Sequence, residues 1–119
     1  MRAMARQPRK GTMNRTERAY ADHLNLLCLA GEVRRYAYEA ITLRLAERTT
    51  LTPDFLVCMT DGTLELHDTK VIYRHKTRPH VEDDAAVKIK VAARQFPEFR
   101  ICIAYLDPVM GWVVEEVRG

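Results

Sequence analysis

Hydrophobic positions recur at helical spacing in two stretches of the chain. The first occupies residues 14–31 and ends at Gly31, a common residue just beyond the end of a helix. The second follows the acidic residues at 82–84, whose charge suits a helix start, and it stops before Pro97. The pattern predicts a helix in each stretch.

Five other stretches alternate between apolar and polar residues, or are rich in the residue types that strands favour. They are residues 38–45, 52–59, 64–70, 99–105 and 112–117. The predicted element order is αβββαββ. This order favours the α/β class, with a mixed β-sheet flanked by helices.

The 119 residues are 47% hydrophobic, which is enough for one packed core and indicates a single domain over residues 14–119. No apolar run reaches the length of about 20 residues that a membrane helix needs, so we expect no membrane partner. Cys28, Cys58 and Cys102 are odd in number and far apart. They indicate buried free thiols in a reducing cytoplasm.

Positive charge is concentrated at the start of the chain. Residues 1–18 hold six basic residues and one acid, a net +5, which leaves −2 of the overall +3 for the remaining chain. We expect residues 1–13 to form a flexible basic arm. Such an arm suits a phosphate backbone, but a solubilising tail has the same composition.

Two of the predicted strands, residues 52–59 and 64–70, form a hairpin whose loop length decides the register. A two-residue loop places Asp54 opposite Thr69, whereas a three-residue loop places Asp54 opposite Asp68, with Lys70 on the same face. Gly62 lies where a three-residue loop needs a left-handed residue. The loop chemistry therefore permits the register that brings Asp54, Asp68 and Lys70 together.

Two facing carboxylates repel each other, and a divalent cation removes that repulsion. Mg²⁺ prefers oxygen ligands, and it commonly combines one or two carboxylates with waters and a substrate phosphate. A lysine beside the pair would orient the attacking water or hold the phosphate. The three residues together therefore favour metal-assisted phosphodiester hydrolysis.

The same residues resemble a known nuclease superfamily. Pro53-Asp54, followed after thirteen residues by Asp68-Thr69-Lys70, looks like the PD-(D/E)XK motif in its hairpin context. The resemblance extends over residues 14–117 to a small phage-associated family of unassigned PD-(D/E)XK proteins. Three segments carry it: residues 14–17, 52–55 and 84–90.

The resemblance implies a restriction-endonuclease-like fold and Mg²⁺-dependent DNA cleavage, with Mn²⁺ expected to substitute. It implies Asp54 and Asp68 as metal ligands and Lys70 as the catalytic lysine, and it adds Glu17 as a further catalytic and metal-binding acid. Glu17 has a simpler role as well, because Asn14 and Glu17 have the spacing of a helix capping box. Two features depart from the expected pattern: the second acid, which is often glutamate in this motif, is Asp68, and the segment Val71-Ile72-Tyr73 lacks the glycine expected in closer relatives.

Related small nucleases include dimeric Holliday-junction resolvases. The resemblance therefore implies a cytoplasmic phage or prophage protein that can form a homodimer and that cuts branched or recombination-intermediate DNA. The expected nucleic-acid contacts are Arg6, Arg9, Lys10, Arg15, Arg74, Lys76 and Arg78. Two other functions stay open: a catalytically inactive nuclease-like fold that binds DNA or protein as a phage regulator, and a nuclease acting on RNA.

Overall fold

The computed structural model describes residues 11–72, 78, 79, 81 and 83–119, which form a mixed α/β fold with two helices and two sheets. In chain order the elements are α1 (Arg15–Leu29), β1 (Val33–Tyr38), β2 (Leu43–Ala46), β3 (Thr49–Leu51), β4 (Phe55–Met59), β5 (Leu64–Lys70), α2 (Asp83–Gln95), β6 (Arg100–Asp107) and β7 (Gly111–Glu116).

The main sheet has five strands in the order β1-β4-β5-β6-β7. β5 and β6 pair in parallel, and the other neighbours are antiparallel. A parallel pair needs a long crossover, which α2 supplies between β5 and β6. β2 and β3 form a separate two-stranded sheet. The predicted α/β class and mixed sheet are confirmed.

Each helix covers a different face of the main sheet. Tyr20 and Leu24 of α1 pack with Phe55 and Val57, whereas Ile89 of α2 packs in a second cluster that contains other residues of the same sheet. Alternate residues along a strand point to opposite faces. The two apolar clusters therefore lie on opposite sides of the sheet.

The first helix begins and ends as its sequence predicts. The Asn14 side chain accepts a hydrogen bond from the Glu17 backbone N–H at 2.8 Å, and the Glu17 carboxylate accepts one from the Asn14 N–H at 2.9 Å. This reciprocal pair satisfies two of the free N–H groups at the helix start. Beyond the helix, Gly31 adopts a φ of 82°, the left-handed conformation that glycine allows at low cost.

The predicted element order αβββαββ is wrong, because five strands rather than three precede α2. The predicted strand over residues 38–45 is divided: β1 ends at Tyr38, Glu39 takes a φ of 48°, and the strand pattern resumes only at Leu43. The stretch 52–59 is strand only from Phe55. A positive φ in a non-glycine residue ends strand geometry, and alternation alone does not reveal it.

Strand β1 was not predicted because its hydrophobic alternation is obscured. Its register with β4 shifts between Val33 and Arg35, as happens at a β-bulge. Such an irregularity inserts an additional residue and interrupts the two-residue period of the side chains. β3 was also missed, since only three residues form it.

A buried chain of polar side chains lies beneath α1. His67 follows Glu65 by two residues along β5 and therefore faces away from Asp68; it is 4% exposed, with its Nδ1 2.7 Å from the Tyr20 hydroxyl. Its Nε2 lies 2.8 Å from Glu65 Oε1. Every one of these buried polar groups therefore has a partner, as a packed interior requires.

Replacing Tyr20 with phenylalanine should destabilise the protein by about 1–3 kcal/mol, because His67 Nδ1 would lose its buried partner. The matched control is Tyr36→Phe, which removes an exposed hydroxyl bond to Asn25 and should cost well under about 1 kcal/mol. Urea unfolding measures both. Equal losses of unfolding free energy in the two variants would show that the buried Tyr20–His67 hydrogen bond stabilises the protein no more than the exposed one.

Candidate active site

The β4–β5 hairpin adopts the three-residue loop. Phe55 pairs with His67 and Leu56 with Leu66, while the Met59 N–H donates to the Thr63 carbonyl at 2.9 Å to close the loop. Gly62 has a φ of 94°, the conformation expected for this position. One residue beyond the Phe55–His67 pair, this register sets Asp54 opposite Asp68.

Direct hydrogen bonds hold the two aspartates together. The Asp54 backbone N–H donates to Asp68 Oδ1 at 2.9 Å. In return, Asp54 Oδ2 accepts from both the backbone N–H and the hydroxyl of Thr69, each at 2.8 Å. The carboxylate of Asp54 is therefore fixed by the residue that follows Asp68. Thr69, the variable position of the Asp-Thr-Lys sequence, was not predicted to have a role.

Lys70 completes the group that the sequence predicts. Its Nζ lies 3.5 Å from Asp68 Oδ2, and the two side chains are 18% and 15% exposed. Both groups are therefore largely enclosed and still reachable from solvent. Two acids and one amine from two neighbouring strands thus meet at the end of the hairpin.

Burial disfavours the charged forms of the two acids, and neighbouring negative charges add to this effect. Burial, followed by the charges of Asp68 and Glu17, raises the pKa of Asp54 to about 7 against the hydrogen bonds from Thr69. Burial also raises the pKa of Asp68, although the nearby Lys70 ammonium opposes that rise. A divalent cation would stabilise both carboxylates in their charged form.

Glu17 lies beside this group without joining it tightly. Its Oε1 accepts from the Asn14 N–H and from the Tyr38 hydroxyl, each at 2.9 Å, and its charge contributes to the raised pKa values of Asp54 and Asp68. Among the described residues, Glu17 and the two aspartates do not form a set of ligand atoms all within 4.8 Å of one another. The capping role is confirmed, and metal binding by Glu17 stays a prediction.

Tyr38 connects the acidic group to the edge of the sheet, and no role was predicted for it. Tyr38 ends β1 and lies opposite Phe55, so its hydroxyl reaches Glu17. Burial and the bond to Glu17 raise the pKa of Tyr38 well above its ordinary value, so the hydroxyl stays protonated and donates. Only the pairing of β1 with β4, in a strand the sequence did not reveal, places it there.

A cleft of about 290 Å³ opens beside Lys70. It is lined by Arg15, Thr16, Ala19, Lys70, Val71, Ile72, Leu106 and Trp112. The first turn of α1 therefore borders the end of β5 that carries Lys70, and it contributes one cation, Arg15.

The predicted nucleic-acid contacts are only partly within the described residues. Arg15 lines the cleft, and Arg78 forms an exposed ion pair with Glu115 at 3.7 Å. An exposed pair of this kind contributes little to stability, so it leaves the Arg78 charge available to a phosphate. The other five predicted contacts lie outside the described residues: Arg6, Arg9, Lys10, Arg74 and Lys76.

Comparisons of the chain with protein-family models, with curated proteins and with solved structures give no match. Among the described residues, neither helix combines the length and the hydrophobicity needed to cross a membrane.

Proposed function

We propose that the protein is a Mg²⁺-dependent endodeoxyribonuclease with a restriction-endonuclease-like fold. The observation that carries the proposal is the hydrogen-bonded opposition of Asp54 and Asp68 with the Lys70 ammonium 3.5 Å from Asp68. Two converging carboxylates and one amine, beside an open cleft, are the groups that metal-assisted phosphodiester hydrolysis requires.

The donor set fits a hard cation. Carboxylate oxygens are the ligands that Mg²⁺ and Mn²⁺ prefer, and the raised pKa of Asp54 gives a physical reason for a cation to bind here at neutral pH. Asp54 and Asp68 would hold the ion. When bound, it would polarise the phosphoryl oxygen and lower the pKa of a coordinated water.

The protein's own residues fix the geometry of the reaction. Thr69 holds the Asp54 carboxylate by two hydrogen bonds, so that its orientation does not need to change when substrate arrives. Lys70 would move from its pairing with Asp68 to donate to the attacking water or to the scissile phosphate.

The surface around the cleft favours recognition of the backbone rather than of bases. Arg15 and the positive end of the α1 dipole both face the cleft and would attract phosphate. Backbone contacts position a protein on DNA without reading sequence. We therefore place branched recombination intermediates first among the substrates, with a homodimer supplying one site per strand.

Lys70→Ala should lower Mg²⁺-dependent cleavage of a four-way junction about a hundredfold or more, because the amine acts on the charge that develops at the phosphate. Junction binding in Ca²⁺ should change less than about threefold. The matched control is Lys90→Ala, which removes an exposed lysine of α2 and should leave cleavage unchanged. Single-turnover assays with Mg²⁺, Mn²⁺ or EDTA measure these rates.

The same assay separates the other functions. A binding-only regulator would retain the junction without cutting it in either Mg²⁺ or Mn²⁺. An RNA nuclease would cut a matched RNA and spare the DNA. If the wild type and Lys70→Ala cleave at equal rates, the activity comes from a contaminant, and that result contradicts the proposal.

A further inference from the structure

A second group of metal-ligating side chains lies on the opposite face of the sheet. Glu65 and His67 alternate with Asp68 along β5, and Cys102 of β6 is the parallel partner of His67. One ligand atom from each of Glu65, His67 and Cys102 lies within 4.8 Å of the other two. All three residues are buried beneath α1, and Cys102 is 2% exposed.

The surroundings orient these side chains as the outer partners of a metal site do. His67 Nδ1 lies 2.7 Å from the Tyr20 hydroxyl, which leaves Nε2 directed toward Glu65 Oε1 at 2.8 Å. Arg100 donates to the other carboxylate oxygen, Glu65 Oε2, at 3.3 Å. Metal-binding histidines and carboxylates are usually held in this way, through the atom that does not face the ion.

Charge balance also favours a dication. The Glu65 carboxylate and a Cys102 thiolate would together neutralise an ion of charge +2. The remaining charge of Arg100 is balanced by Glu116, whose Oε1 lies 3.1 Å from the guanidinium. An ion bound here would therefore leave no uncompensated charge beneath α1, which is the condition for burying charge at tolerable cost.

The ligand types identify the class of ion. Thiolate and imidazole are soft or borderline ligands that select Zn²⁺ over Mg²⁺, and a Cys–His–carboxylate set is within the range that zinc accepts. Tetrahedral ligands around Zn²⁺ are separated by roughly 3.5 Å. His67 Nε2 and Glu65 Oε1, which are 2.8 Å apart, would therefore separate slightly as the ion enters, whereas a pair at the 4.8 Å limit would approach by about 1.3 Å.

We propose that Glu65, His67 and Cys102 form a buried structural site for Zn²⁺ or a similar thiophilic dication that joins β5 to β6 beneath α1. Binding replaces the Cys102 S–H by a metal–sulfur bond and releases its proton to solvent. Burial and Glu65 raise the pKa of that thiol to about 12, so the protonated form is the one present before the ion binds. The site is independent of the nuclease proposal, since it lies on the other face of the sheet.

Cobalt provides a direct test, because a Co²⁺–thiolate bond absorbs in the near ultraviolet whereas carboxylate coordination does not. The full-length protein is treated with a chelator under reducing conditions and is then titrated with Co²⁺ alone. We expect the thiolate charge-transfer band to saturate at one equivalent, and Zn²⁺ to abolish it by displacement. The Asp68→Asn variant should give the same band, since Asp68 belongs to the other site.

The variants locate the sulfur ligand. Cys102→Ala should lose the band, whereas Cys28→Ser and Cys58→Ser, which change half-buried thiols elsewhere, should keep it. If Cys102→Ala does not fold, the melting temperature of the Asp68→Asn protein is measured with and without Zn²⁺ instead. We expect Zn²⁺ to raise that melting temperature by at least about 5 °C. A wild-type protein without the band, or a Cys102→Ala variant that retains it, overturns the proposal.

Discussion

Replacing Asp54 with asparagine should lower Mg²⁺-dependent DNA cleavage at least about a thousandfold and, without metal, should stabilise the protein at pH 8. A metal ligand contributes several kcal/mol to the transition state, and about 4 kcal/mol corresponds to a thousandfold in rate. The asparagine carbonyl can still accept from Thr69. The substitution therefore removes the charge while it preserves the hydrogen bonds.

The gain in stability follows from the raised pKa of Asp54, about 7, which shows that the folded protein disfavours the ionised carboxylate. At pH 8 the neutral amide should raise the free energy of unfolding by about 4 kcal/mol, because a rise in pKa from 3.8 to about 7 corresponds to about 1.36 kcal/mol for each pH unit. Urea unfolding in EDTA and single-turnover cleavage measure the two effects. The control is Asp61→Asn, which changes the exposed acid of the hairpin loop and should leave cleavage unchanged. Loss of both activity and stability in Asp54→Asn would contradict the electrostatic account.

The stability of the metal-free protein should fall as the pH rises through the range from about 4 to about 7. In that range folded Asp54 still binds its proton, whereas the unfolded residue, with a pKa near 4, has released it. Fewer protons bound in the unfolded state means that the free energy of unfolding decreases with pH. Between pH 5 and pH 8 the contribution of Asp54 should fall by about 2–3 kcal/mol.

Unfolding by urea at several pH values, in wild type and in Asp54→Asn, isolates this contribution, because other titrating groups affect both proteins. The difference between the two curves should be small at pH 4, should increase through pH 5 and should be largest near pH 8. Mg²⁺ should restore wild-type stability at pH 8 far more than at pH 5, since protons compete with the ion for the carboxylates. Parallel curves for the two proteins would show that Asp54 ionises as easily in the folded state as in the unfolded chain.

The sequence by itself determined the local features that short-range chemistry controls. The Asn14–Glu17 capping box, Gly31 at the helix end and the bounds of β5 are all as predicted. The most informative local feature is Gly62. Its tolerance of a positive φ permits the three-residue loop that the structure adopts, and that loop fixes the face on which every side chain of the hairpin lies.

The tertiary structure alone decided how distant segments meet. β1 pairs with β4 through a register shift, which the alternation of residues does not reveal. This pairing brings the Tyr38 hydroxyl to Glu17. The parallel pairing of β5 with β6 likewise sets Cys102 beside His67, although the two are far apart in the chain. The alternation of residues along a strand indicates which side of that strand is buried. It does not identify the neighbouring strand, because strand pairing depends on long-range packing that the whole chain determines.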